Sequence, residues 1–292
     1  MLPFSGETRS KPFITAFFLL IYVVGVLINS SIITVICLEV QLHKPMYLFI
    51  CHLSIVDILY TSVLVPKLLH MLLSGNHIVS FSQCYTQLYF FSSVATAEQI
   101  LLFVLAYDRY VAICLPLHYH QILSYRNCSL ITIGIWTVAF LNSVMFVTSV
   151  LNMSSCHSNV IHQFFCDPKS LTKTICRTSQ LFIVVTFTEI LTLAFIPLMC
   201  TFISYVQIFS VISKMKTKES RKKSFSTCSS HITIITIYYG AGVIGYLIPP
   251  YYEVLDIIFN TIYSNIIPII NPVIYSLQNS NIQSALLRLA RR

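Results

Sequence analysis

Asp108 and Arg109 stand side by side in LAYDRYVAIC (105–114), at the end of a long apolar run, in a chain of which only 10% is charged. A guanidinium keeps its charge and can exchange one partner for another, so the pair is a candidate for an electrostatic contact with two settings. Other polar residues fall inside apolar runs, where an ionisable group is costly and therefore a functional candidate. Asp57 lies about eleven residues into the run 46–73, and Glu98 lies eleven residues before Arg109. At ~1.5 Å per residue both are about 16 Å from the same side of a bilayer. Asn29 and Asn271 have similar depths in the first and last runs. Two close carboxylates repel unless one is protonated or a cation lies between them. A bound sodium ion is one reading of this layer, and a hydrogen-bonded network with a neutral carboxyl is the other. Both make the layer a hinge.

Glu189, eight residues before Pro197, lies in the outer half of its run. It is a candidate contact for a cationic or hydrogen-bonding ligand, set against the reading of a protonated or snorkelling glutamate. Lys67 in VPKLLH reads as a snorkelling lysine. His157, His162 and Cys166 have the chemistry of a transition-metal set, but Cys166 reads better as half of a disulfide, and no metal site is assigned. Tyr238, Tyr239 and Tyr246 read as packing residues first, with Tyr246 seven residues after Tyr239 and so on nearly the same helix face. No paired catalytic constellation and no His-Glu-x-x-His motif occurs, so no catalytic residue is assigned and the chain does not read as an enzyme.

The elements that must position these residues follow from composition. With 56% hydrophobic residues the chain cannot cover a water-facing surface, whereas soluble domains are about 25% charged. Apolar runs near 13–38, 46–73, 85–107, 129–151, 180–212, 229–249 and 255–277 are each long enough for a core of about 30 Å. They do not alternate strictly, so helices rather than a barrel are expected. The expected fold is a single domain over 1–292, an all-α membrane protein with a seven-transmembrane helix bundle. Residues 279–292 are expected to form a short cytoplasmic amphipathic helix lying on the membrane. A transporter or channel predicts inverted repeats or a polar chain through the membrane, and only one polar layer is found. No cleavable signal peptide is evident, so the first span is expected to act as its own signal.

Charge sets the orientation. Lys44, Arg109, Arg126, Lys214, Lys216, Lys218, Arg221, Lys222, Lys223, Arg288, Arg291 and Arg292 share the side of the C-terminus, whereas only Arg9, Lys11, Lys169, Lys173 and Arg177 lie opposite. The N-terminus is expected outside and the C-terminus in the cytoplasm. The net charge of +8 is thus membrane topology rather than a nucleic-acid footprint. Cys84, Cys156, Cys166 and Cys176 fall on the oxidising outer side, where two disulfides are expected and three pairings are open. Asn152-Met153-Ser154 is a glycosylation sequon on that side. Asn127-Cys128-Ser129 also matches, but on the cytoplasmic side.

LAYDRYVAIC resembles the span-three signature of vertebrate olfactory receptors, a branch of the rhodopsin-like G-protein-coupled receptors. KPMYLFICHLSIVD (44–57), Pro116-Leu117-His118-Tyr119, Ser204-Tyr205, KSFSTCSSH (223–231) and PIINPVIYSL (268–277) resemble further signatures of that family, in order and across nearly the whole chain. The resemblance implies an odorant receptor of the plasma membrane. It would bind a small molecule in the outer half of the bundle and activate a stimulatory olfactory heterotrimeric G protein, raising cAMP. A non-olfactory chemosensor with the same coupling is the alternative. Asp108 would hold Arg109 at rest, with Tyr110, Tyr205 and Tyr275 completing the switch. Phe91, Ser92, Ala95, Thr96, Glu189, Tyr239, Val243 and Tyr246 would contact ligand, with Tyr239 also the span-six switch tyrosine. Asn29, Asp57, Glu98 and Asn271 would form the sodium layer. Cys84 would pair with Cys166, and Cys156 with Cys176. Membrane lipid, arrestin and trafficking chaperones are implied partners, and Lys214–Lys223 fits G-protein and anionic-lipid contact.

The sequence departs from the family pattern at three places. Ile28 replaces the glycine usual before Asn29. Gln278 replaces an arginine, which weakens the expected membrane-side contact of the last helix. The N-terminal tail is short and lacks the usual sequon. No cysteine follows span seven, so no palmitate is expected there.

Overall fold

The computed structural model describes residues 11–155, 161, 163–172, 175–247 and 252–290, and most side chains within them. Seven long helices run through the bundle: α1 (Lys11–Leu38), α2 (Pro45–Ser74), α3 (Phe81–Cys114), α4 (Tyr125–Leu151), α5 (Gln180–Ser213), α6 (Lys218–Leu247) and α7. The last comprises Glu253–Thr261, a π-helical stretch Ile262–Ile266, and Ile267–Gln278. A short helix α8 (Ser280–Ala290) follows.

All but α6 are long and apolar enough to cross a membrane by length and composition alone. The exception has a physical reason. α6 starts at Lys218, eleven residues before the expected span, because the polar stretch KESRKKSFSTCSS continues the helix beyond the apolar run. α3 likewise outruns 85–107 at both ends. A small antiparallel ribbon, Ser154–Ser155 with Ile175–Arg177, adds strand to the expected all-α fold in the outer loop.

Local chemistry explains the boundaries. Gly75 closes α2 at φ +69°, a left-handed conformation that costs glycine nothing, and donates to the Met71 carbonyl. Ser80 opens α3 with a reciprocal capping box to Gln83. Ser124 and Ser179 cap α4 and α5 through Asn127 N–H and Phe182 N–H. The π-helical stretches Ile190–Phe195 and Ile262–Ile266 each end two residues before a proline, Pro197 or Pro268. A proline ring clashes with the carbonyl four residues back, and a widened turn absorbs that clash.

The core gathers residues from all seven long helices, with Leu53, Val56, Leu64, Leu68, Leu88, Ala97 and Leu101 at its centre. α5 is the reverse: Leu181, Ile183, Val184, Phe187, Phe195, Phe202 and Ile203 are all exposed. Such a face is untenable in water and is what lipid requires.

Candidate functional site

At the C-terminal end of α3 both charged residues are buried, Asp108 at 1% exposure and Arg109 at 8%. Arg109 Nε lies 3.9 Å from Asp108 Oδ2, too long for a hydrogen bond, so the contact is electrostatic. The other carboxylate oxygen, Oδ1, accepts from Tyr119 Oη at 2.8 Å. Burial, followed by the adjacent Asp108 carboxylate, pushes the Tyr119 phenol far above its ordinary range, so it stays a donor. Tyr205 on α5 is bonded to His231 Nδ1 on α6 at 2.7 Å. Tyr205, Ile208 and Ile212 form a small core with Ala106 and Cys228, against which Tyr110 packs. Tyr275 on α7 is buried, with its hydroxyl unpartnered. The expected switch residues therefore lie at one end of the bundle, with Tyr119 and His231 as two partners not expected in those roles.

Mid-bundle, Asn271 Nδ2 donates to Asp57 Oδ1 at 3.1 Å and to Glu98 Oε1 at 3.4 Å. Asn29 Nδ2 donates to the carbonyls of Gly25 and Pro268, each at 3.0 Å. The second bond has a sequence cause. Pro272 has no N–H to give the Pro268 carbonyl, and the Asn29 amide supplies one instead. Asp57, Glu98 and Asn271 thus meet, and Asn29, also buried, joins α1 to α7 through the Pro268 carbonyl rather than through those three. Asn29 Oδ1, Asp57 Oδ2 and Asn271 Oδ1 have no hydrogen-bond partner there.

Further out, Asn142 on α4 joins α3 to α5. Its Nδ2 donates to Glu189 Oε1 at 2.7 Å and to Thr96 Oγ1 at 3.2 Å. Glu189 is the last residue before the first π-helical stretch. Phe91 packs on Tyr60 and Phe165, with ring centroids 5.4 and 5.0 Å away. Ser92 and Ala95 are half-buried on α3. Of the two adjacent tyrosines on α6, it is Tyr238 that is buried and accepts from Tyr263 Oη at 2.8 Å, while Tyr239 is half-buried. Val243 is 55% exposed and is not an enclosed pocket wall. Tyr246 lies on α6, with its side chain outside the described residues.

The outer loop carries the Cys84–Cys166 disulfide. Cys156 and the side chain of Cys176 lie outside the described residues, so that second pairing does too. The metal reading of His157, His162 and Cys166 loses its sulfur to the disulfide, and both histidines lie outside the described residues; among those described, no cluster of three metal-ligating residues occurs. Asn152 is exposed at the end of α4. Lys67 Nζ donates to Gln83 Oε1 at 3.3 Å rather than standing free. At the C-terminal end of the bundle, where Gln278 stands in place of the arginine expected from the resemblance, α8 has other anchors. Tyr47 Oη lies 3.4 Å from Asn279 Oδ1 and accepts from Asn281 Nδ2 at 2.9 Å, and Arg288 meets Glu39 through two nitrogens at 3.3 and 3.2 Å.

Residues 18–291 match the family described as olfactory receptor. The chain is 39% identical over 277 residues to olfactory receptor 5B21 of Mus musculus, covering 94% of this chain and 87% of that protein. It is 40% identical over 291 residues to olfactory receptor 8H1 of Homo sapiens, covering 99% and 92%. Against olfactory receptor 1C1 of Homo sapiens it is 36% identical over 287 residues, covering 98% and 91%.

Proposed function

The chain belongs to the olfactory receptor family, and from that premise we propose that it binds a small odorant between the outer halves of α3, α5, α6 and α7 and activates a stimulatory G protein, raising cAMP. Membership makes it a multi-pass plasma-membrane receptor for odorants that couples to a G protein. The finer reading rests on one observation above the rest: Glu189 and Thr96, on two of the helices named for the pocket, share a single amide donor from Asn142. A polar cluster within a largely apolar surround suits a ligand that is mainly apolar with one group to orient. Glu189 has acceptor capacity beyond the one bond it makes to Asn142, so a ligand amine or hydroxyl can bond to it.

At the other end, activation frees Arg109 from Asp108 as α5 and α6 move, which requires the Tyr205–His231 contact to rearrange. Lys218, Arg221 and Lys222 border an open cleft of about 580 Å³ between α5 and α6 with Phe209 and Phe225. This basic, aromatic cleft suits G-protein and anionic-lipid contact, with arrestin and trafficking chaperones as further partners. The cation bias supports an N-terminus outside and a C-terminus in the cytoplasm.

The mid-bundle layer fits a sodium ion by its donor set, the amide oxygens of Asn29 and Asn271 and the carboxylates of Asp57 and Glu98, all hard ligands, of which Asn29 Oδ1, Asn271 Oδ1 and Asp57 Oδ2 have no hydrogen-bond partner. Asp57, Glu98, Asn29 and Asn271 would hold it, and the cation would offset the repulsion of the two carboxylates. The Asn271 amide, which donates to both carboxyl groups, also suits the alternative of a hydrogen-bonded network with a neutral carboxyl. Sodium-dependent basal signalling that disappears in Glu98→Gln checks the ion reading, and sodium-independent signalling removes it.

The test of the whole reading is cAMP in cells expressing the receptor and a stimulatory G protein, with surface density measured, across amines, alcohols, acids and neutral compounds. The expected outcome is a response to amines or alcohols that Glu189→Gln weakens by about tenfold or more, the scale of a lost hydrogen bond to a charged group. A response unchanged by Glu189→Gln returns that residue to a structural role.

A further inference from the structure

Among the described residues, a covalent and an ionic anchor fasten the loop between α4 and α5 to the bundle. The first is Cys166, bonded to Cys84 of α3. Its N–H donates to Gln87 Oε1 at 3.1 Å, and Gln87 Nε2 donates to the Val63 carbonyl of α2 at 3.0 Å. This anchor is covalent and stays closed in an oxidising outer space. The second lies three residues on. Lys169 Nζ donates to Asp256 Oδ1 of α7 at 2.7 Å and to the Gly245 carbonyl of α6 at 2.8 Å. Gln163 Nε2 donates to the other Asp256 oxygen at 3.2 Å. One ammonium therefore ties the loop, α6 and α7 together, and Asp256 is only 2% exposed.

The Gly245 contact repeats the logic of Asn29. Residue 249, which a helix would require to donate to the Gly245 carbonyl, is a proline without an N–H. That carbonyl needs a donor from elsewhere, and Lys169 provides it. It lies in a stretch of α6 that also contains Gly240 and Gly242, where nothing within 4 Å would meet an added Cβ at any of the three glycines. With no side chain at these three positions, the contact through the Gly245 carbonyl helps to set where the outer end of α6 lies.

Buried ion pairs add little net stability over apolar packing, and their best-attested use is to specify one arrangement. The arrangement specified here is the one in which Arg109 still lies beside Asp108 and Tyr205 is bonded to His231. A contact made in one of two conformations biases the equilibrium towards it. We propose that Lys169, Asp256 and the Gly245 carbonyl form a latch that holds the outer ends of α6 and α7 to the outer loop in the signalling-off state, so that opening it raises ligand-independent activity. This rests on the G-protein coupling proposed above.

The test needs no odorant. Nucleotide exchange on a purified stimulatory G protein is measured in membranes holding the receptor, per receptor, without ligand. Lys169→Met keeps the aliphatic stem and removes the charge, and Asp256→Asn removes the partner. Each is expected to raise basal exchange about fivefold or more, the lower range of allosteric couplings. Arg109→Ala in the Lys169→Met background is expected to abolish the gain. The swapped pair Lys169→Asp with Asp256→Lys is expected to return basal exchange towards the wild-type level. Hydrogen exchange of the purified receptor, which needs no G protein, is expected to speed up in Lys169→Met at residues 168–172 and 253–261. Unchanged or lowered basal activity in Lys169→Met overturns the latch, as does unchanged hydrogen exchange. If Lys169→Met does not fold, the swapped pair decides: recovered folding with wild-type basal activity supports the latch, and failure to recover overturns it. Faster hydrogen exchange in a receptor that activates no G protein at all places the failure in the coupling reading, and the latch falls with it.

Discussion

Two ion pairs sit at opposite ends of the bundle and are built in opposite ways. Arg109 and Asp108 are neighbours on one helix, 3.9 Å apart, with no hydrogen bond between them. Lys169 and Asp256 come from separate elements and meet at 2.7 Å, with Gln163 and the Gly245 carbonyl among their other partners. Releasing the first moves a side chain and leaves the helix where it was. Releasing the second removes a contact that three elements share. The cytoplasmic pair is therefore suited to switching partners, and the outer pair to holding elements in register.

Arg109→Ala breaks this comparison most severely. The expected outcome is loss of G-protein activation, a fall of about 100-fold or more in signalling per receptor, with ligand binding retained, read by cAMP beside surface density. Normal signalling would mean that the pair is only a packing feature. Cys84→Ser comes next. It removes the covalent anchor that lies three residues before Lys169, and disulfides of outer-facing domains contribute about 2–5 kcal/mol. Surface expression is expected to fall by most of its wild-type value. A receptor that reaches the surface and responds normally would show that the polar contacts around Lys169 hold the loop by themselves.

The contrast also separates what was legible in the sequence from what was not. The long helices were legible because lipid leaves an apolar run of this length no other way to satisfy its backbone. The polar layer was legible too, since depth along a helix is residue count times rise. The Asp108–Arg109 pair needed no fold at all, being adjacent in sequence. Asn142 was missed. A lone amide in TVAFLNSVMF is itself a signal, but its partners lie 46 and 47 positions away. Lys169 counted only as an outer charge, because Asp256 is 87 residues further on. Adjacent tyrosines on α6 could not be ranked either. Positions one apart point about 100° apart, and only packing decides that Tyr238 rather than Tyr239 faces the core.

The smallest effect is expected from a third ion pair, and it tests whether geometry alone predicts importance. Arg288 of α8 grips both oxygens of Glu39 at 3.2–3.3 Å, a fork shape with closer contacts than the Arg109 pair has. Yet the Arg288 side chain is 46% exposed. Solvent and salt screen such a pair, and exposed pairs contribute less than about 1 kcal/mol. α8 is also held by Tyr47 through Asn279 and Asn281 and by the buried Ile282 and Ala285. Glu39→Gln is therefore expected to lower the thermal stability of the purified receptor by no more than a degree or two and to leave signalling per receptor unchanged. A loss of signalling comparable to that of Arg109→Ala would mean that the position of α8 is transmitted to the cytoplasmic switch. Burial would then no longer be what distinguishes the ion pairs that matter in this molecule.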